Sequence, residues 1–110
     1  MIGTECDYGS GLWDTWDQSI SRWIHSSIPC PKFTPNVWHH IQLYVKIDDV
    51  AHTYKYVTLV VDDVSTAMNI TQQASNVGWG DNAGVQYQID VNASGSAVHA
   101  WIDKSKLTIW

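Results

Sequence analysis

The stretch that most constrains what this chain can fold into runs from Asn36 to Asp63. Ile41, Leu43, Val45 and Ile47 alternate with His40, Gln42, Tyr44 and Lys46. A period of two marks a strand with one dry and one wet face. The polar break Asp48-Asp49-Val50-Ala51-His52-Thr53 is turn-prone, and a second β-rich run, Tyr54 to Val61, follows it. A long antiparallel hairpin is the simplest reading.

The same signals recur along the chain. Gly3–Tyr8, Leu12–Gln18, Ile20–Ser26, Ser65–Thr71 and Gly84–Val91 read as further strands, and Ala97–Trp110 as two strand pieces bent near Asp103-Lys104-Ser105. Three prolines between Pro29 and Pro35 forbid a central strand there. Gly9-Ser10-Gly11 and Ser94-Gly95-Ser96 read as turns, since neither has the strand–elbow–helix setting of a nucleophilic serine. About eight short strands and no helix predict an all-β, antiparallel β-sandwich of jelly-roll type. At 110 residues the chain is expected to form one domain, 1–110.

Composition narrows the function classes. The net charge is −5. An acidic chain with a single Arg argues against nucleic acid and anionic membranes as partners. No apolar run is long enough to span a bilayer. Met1-Ile2-Gly3-Thr4 has neither the basic start nor the apolar stretch of a secretion signal. Cys6 and Cys30 are the two cysteines. In a short aromatic-rich β protein they suggest a disulfide and an oxidising, extracellular compartment, the alternative being two buried thiols. Asn69-Ile70-Thr71 and Asn92-Ala93-Ser94 fit the glycan-acceptor pattern of a eukaryotic secretory host.

Seven Trp and five Tyr stand beside one Phe. Rings with a polar handle tend to sit half buried and half wet. Such rings suit a pyranose, whose C–H face stacks on them while polar neighbours bond its hydroxyls. Trp79, between two glycines, is the prime candidate. Trp13 and Trp16 are three apart, so one should face the core and the other solvent. Tyr44 lies on a wet face, with Tyr54 and Tyr56 as expected neighbours on the next strand. Gln42, Gln86, Gln88 and Asp90 could bond hydroxyls. Trp38 and two or three other Trp are expected in the core.

Other chemistry is available. Glu5 and Asp7 place two carboxylates on one strand face, as a retaining glycosidase needs, and Glu5 is the only Glu. His40, His52 and His99 could gather around a metal only through tertiary folding. Asp48-Asp49, Asp62-Asp63 and Asp81-Asn82 offer the oxygen ligands that calcium prefers.

Three segments resemble the concanavalin A-like lectin and glucanase superfamily: Asn36-Val37-Trp38-His39-His40-Ile41-Gln42, Leu59-Val60-Val61-Asp62-Asp63-Val64, and Ala100 to Trp110. The resemblance implies a jelly roll, here shortened, since family domains are nearly twice as long. It implies either a lectin or a glucanase. A shortened sandwich leaves sheet edges open, and pairing between two copies would cover them. The expectation is therefore non-catalytic carbohydrate binding, the alternatives being a small carbohydrate-active enzyme or a self-associating structural domain.

Overall fold

The computed structural model describes residues 1–75, 78, 84–91 and 97–109. The chain divides into two compact units, Met1–Gly78 and Trp79–Trp110. The first is an all-β sandwich of two three-stranded antiparallel sheets. Its strands are β1 (Thr4–Asp7), β2 (Leu12–Asp17), β3 (Arg22–Pro29), β4 (Ile41–Asp48), β5 (Thr53–Val61) and β6 (Val64–Gln73). No described residue is helical. One sheet has the order β1-β2-β3 and the other β4-β5-β6, so each is built from strands consecutive in the chain.

The hairpin read from Asn36 to Asp63 forms as β4 and β5, paired from Ile41↔Val61 to Asp48↔Thr53. Pro29 ends β3 on the edge of its sheet, where a missing N–H costs no ladder bond. The β5–β6 turn is two residues long, Asp62 and Asp63, with φ of 49° and 66°. Positive φ at both central positions matches the twist of a tight hairpin, and Asp tolerates that region better than most residues.

The core lies between the sheets. Trp13, Ile28 and Cys30 meet Tyr54, Tyr56, Leu59 and Met68, with Cys6, Leu43, Val45 and Ile70 packed against them. Cys6 and Cys30 form a disulfide with Cα atoms 5.6 Å apart, compatible with an extracellular protein. By loop-closure entropy it contributes about 3 kcal/mol. Polar groups also cross the interior. Gln72 Nε2 donates to Thr15 Oγ1 at 3.1 Å, and the Tyr54 and Tyr56 hydroxyls donate to the carbonyls of Trp16 and Gly3, each at 2.8 Å.

Two expectations change here. Tyr54 and Tyr56 share a face, but it is the dry one, 2% and 0% exposed. Register is the reason: they lie opposite Ile47 and Val45, while Tyr44 pairs with Thr58 across a bulge. Gly84–Val91 and the described part of Ala97–Trp110 belong to the second unit and form no ladder. Val85, Tyr87, Ile89 and Val91 are all more than half exposed. Alternation sorts side chains to two sides of an extended segment, but a strand also needs a neighbour for its backbone groups.

Candidate functional site

Alternation along β2 builds the outer face of the first sheet. Trp13 and Thr15 point into the core, 4% and 0% exposed, so Asp14 and Trp16 point the other way. Register then sets two rungs across three strands. Trp16 pairs with Trp23, and its N–H donates to the Gly3 carbonyl at 2.9 Å. Asp14 pairs with Glu5 on one side and His25 on the other. Asp7, two residues beyond Glu5, continues the face.

The first rung is aromatic. The Trp16 and Trp23 rings are both half-buried and meet edge to face, 5.2 Å between centroids at 74°. Trp16 Nε1 donates to Gln18 Oε1 at 3.0 Å. A Cβ on Gly3 would lie 3.2 Å from Trp23 Cη2, so glycine leaves the room the indole needs to reach across the sheet.

The second rung is ionic. Asp14 is 2% exposed, and both of its oxygens lie within 2.9 Å of His25 Nδ1. That hydrogen bond, then the charges of Asp14, Asp7 and Glu5, holds the His25 imidazole above its ordinary pKa. Asp7 accepts from the Gly9 and Ser10 N–H groups at 2.7 and 3.2 Å. The Ser10 hydroxyl and the Gly9 N–H keep its carboxyl below the usual range. Both Asp7 oxygens thus shape the β1–β2 turn. Ligand atoms of Asp7, Asp14 and His25 lie within 4.8 Å of one another. One imidazole and two carboxylates form a donor set that could hold a divalent cation.

The second sheet has a quieter outer face. Gln42 Nε2 is 3.2 Å from His40 Nε2, and the Tyr44 hydroxyl donates to Gln42 Oε1 at 3.0 Å. Tyr44 is exposed, as the alternation predicts. Beside it, His39 Nδ1 is 2.6 Å from Asp62 Oδ2, and the His40 N–H donates to Asp62 Oδ1 at 2.9 Å.

The remaining expected positions are scattered. Trp13, Tyr54 and Tyr56 are core residues and offer no platform. Trp38, expected inside, is 69% exposed, because it lies in the loop before β4 rather than on the strand. Trp79 and Asp81-Asn82 lie outside the described residues. Gln86, Gln88 and Asp90 are exposed in the second unit, where Gln88 Nε2 donates to Asp90 Oδ1 at 2.7 Å. His40 and His52 flank opposite ends of the β4–β5 hairpin and do not converge. His99 belongs to the second unit, 6.0 Å from Trp101 between ring centroids. Asp48 accepts from the Val50 and Ala51 N–H groups, so it caps a turn.

Sequence reasoning found Trp16, Glu5 and Asp7 but missed Trp23, Asp14 and His25. Alternation from Trp13 to Trp16 already puts Asp14 and Trp16 on one face. Only the β2–β3 register adds His25 and Trp23. Comparison with family models, curated proteins and solved structures yields no match.

Proposed function

We propose that the chain binds carbohydrate without chemistry, on the outer face of the β1-β2-β3 sheet. The observation that carries this reading is the Trp16–Trp23 pair, partly exposed on the outer face of the sheet beside a row of hydrogen-bonding side chains. A sugar ring stacks on the indoles, and Glu5, His25 and Gln18 accept or donate to its hydroxyls. The Tyr54 and Tyr56 hydroxyls grip the backbone under Trp16, so the platform is held before a ligand arrives. The resemblance to concanavalin A-like lectins points the same way, and the Cys6–Cys30 bridge suits a secreted module. Asp7, with both oxygens engaged by its turn, supports binding rather than hydrolysis.

The test is affinity electrophoresis in gels containing a panel of polysaccharides, with product analysis on the same mixtures. Retardation should occur with at least one polysaccharide, and Trp16→Ala and Trp23→Ala should each abolish it, with no new reducing ends formed. Retardation unaffected by both substitutions would move the site elsewhere. Release of soluble sugar that Glu5→Gln abolishes would make the protein an enzyme.

A further inference from the structure

The edges of the two sheets are β1, β3, β4 and β6. β1 is four residues long. β3 is irregular opposite Leu12 and Asp14 and ends at Pro29. β6 is broken by Asn69, at a φ of 54°, and by a register shift. Short strands, prolines and bulges are the devices that stop a sheet edge from pairing with another chain. β4 has none of them. It pairs through consecutive residues from Ile41 to Asp48, because the extra residue of its ladder, Val57, lies on β5. The His40 carbonyl accepts from the Asp62 N–H at 2.9 Å. Backbone direction alternates along a strand, so Gln42, Tyr44 and Lys46 also turn their N–H and C=O groups toward β5, and Ile41, Leu43, Val45 and Ile47 turn theirs outward. Among the described residues no hydrogen bond reaches these outward groups. Ile41 and Ile47, near the two ends of the strand, are 45% and 59% exposed.

We propose that β4 is a dimer edge: two copies of the chain join their β4 strands antiparallel about a two-fold axis at Tyr44. The sequence of the strand favours this register. Hydrogen bonding requires that outward-turned residues face one another. An axis at Tyr44 sets Ile41 against the second copy's Ile47, and Leu43 against its Val45. Every outward group is then bonded, and both exposed isoleucines gain an apolar neighbour. On the wet face Lys46 meets Gln42, His40 meets Asp48, and the two Tyr44 rings face each other. An axis at Leu43 would put Lys46 against His40 and leave Ile47 beside His39. An axis at Val45 would put Ile41 against Asp49. Of these registers, the one at Tyr44 keeps apolar against apolar and cation away from cation over the whole strand. The contact is isologous and closes at two copies. It uses the second sheet and not the Trp16–Trp23 face, so it stands or falls apart from the sugar site.

The experiment is sedimentation velocity over a dilution series of the full chain and its variants. The parent should sediment as a dimer that dissociates on dilution. Tyr44 lies on the axis, opposite itself in a non-hydrogen-bonded pair with Cα atoms about 4.5 Å apart. Like charges there repel, so Tyr44→Lys and Tyr44→Glu should each weaken the dimer roughly tenfold or more. An equimolar mixture of the two should regain at least the parental affinity, since each charge then faces its opposite. Val64→Lys, at the exposed start of β6, should leave the dimer intact. A second readout introduces no charge. On mild oxidation Tyr44→Cys should join two copies by a disulfide, whereas Gln42→Cys, which faces Lys46 of the second copy, should not. A parent that stays monomeric throughout the series overturns the proposal. So does a dimer indifferent to both Tyr44 charges, or one lost equally in Val64→Lys, since the contact would then lie elsewhere. Failure of the mixture to recover, or crosslinking no faster at Tyr44→Cys than at Gln42→Cys, overturns the register and the edge pairing with it.

Discussion

Replacing Tyr56 by Phe deletes one oxygen from the centre of the sandwich and tests how its two sheets are joined. Tyr56 is 0% exposed. Its hydroxyl donates to the Gly3 carbonyl at 2.8 Å and lies 3.3 Å from the Trp16 carbonyl, and it accepts from the Gly3 N–H at 3.1 Å. One buried hydroxyl therefore ties β5 to the start of β1 and to β2. Burial pushes its pKa well above the ordinary tyrosine value, so the group remains a donor at any working pH. A hydrogen bond made within the protein contributes about 1 kcal/mol net, and an orphaned buried partner costs about 1–3 kcal/mol more. Gly3 is only partly buried, so water reaches its N–H and the lower end applies. The expected loss is about 2 kcal/mol, a large share of the 5–15 kcal/mol typical of a domain. Tyr54→Phe removes a donor to the Trp16 carbonyl at 2.8 Å, with a weaker contact from the Gln18 N–H at 3.4 Å, and should cost about 1 kcal/mol. Both hydroxyls converge on the Trp16 carbonyl, so each single variant leaves it one donor and the double variant, which removes both, should lose more than the sum of the single losses. Urea titration followed by tryptophan fluorescence measures this, with the Tyr56→Phe midpoint falling by about 1 M at unchanged slope. A Tyr56→Phe protein within about 0.5 kcal/mol of the parent would refute the latch, because its bonds would then be replaced by water at no cost.

Two further predictions concern the whole sandwich. Cys6→Ala/Cys30→Ala should lower stability by about 3 kcal/mol, and mild reductant should do the same to the parent but not to the variant; equal urea midpoints with and without reductant would contradict this. Stability should also be bounded on both sides in pH. His25 and His39 are raised above 6.5 by their bonds to Asp14 and Asp62, so their contribution is complete below 6.5 and lost as pH climbs through the raised values. Asp7 and Asp62 are lowered below 3.8, by the Ser10 hydroxyl and by His39 respectively, so theirs is complete above 3.8 and lost as pH falls through the lowered values. Thermal unfolding should peak between these limits, and His25→Gln should flatten the upper limb; a midpoint that rises steadily from pH 6.5 to 8 would exclude the histidine contribution.

Much of the architecture was legible because it depends on local pattern. The alternation from His40 to Ile47 located β4, and polar Asp48 to Thr53 located its turn. The same pattern misled at Tyr54 and Tyr56. Two residues on one face are visible in sequence, but whether that face is dry depends on the partner strand's register, and a bulge beside Val57 sets that register. At Trp38 the error was of another kind. The residue adjoins a strand-like run, yet β4 begins three residues later and leaves the ring in a loop.

The candidate face divides in the same manner. Glu5 with Asp7, and Asp14 with Trp16, follow from a two-residue repeat along single strands, a property every extended chain has. Their meeting with His25 and Trp23 follows from the β2–β3 pairing, set by the backbone hydrogen bonds of that hairpin and a register shift between Leu12 and Asp14. The amino-acid sequence by itself determined that this chain makes amphipathic strands rich in indole and carboxylate. Tertiary structure decided which of them share a surface, because strand register, and not the pattern within any one strand, sets which side chains lie opposite one another.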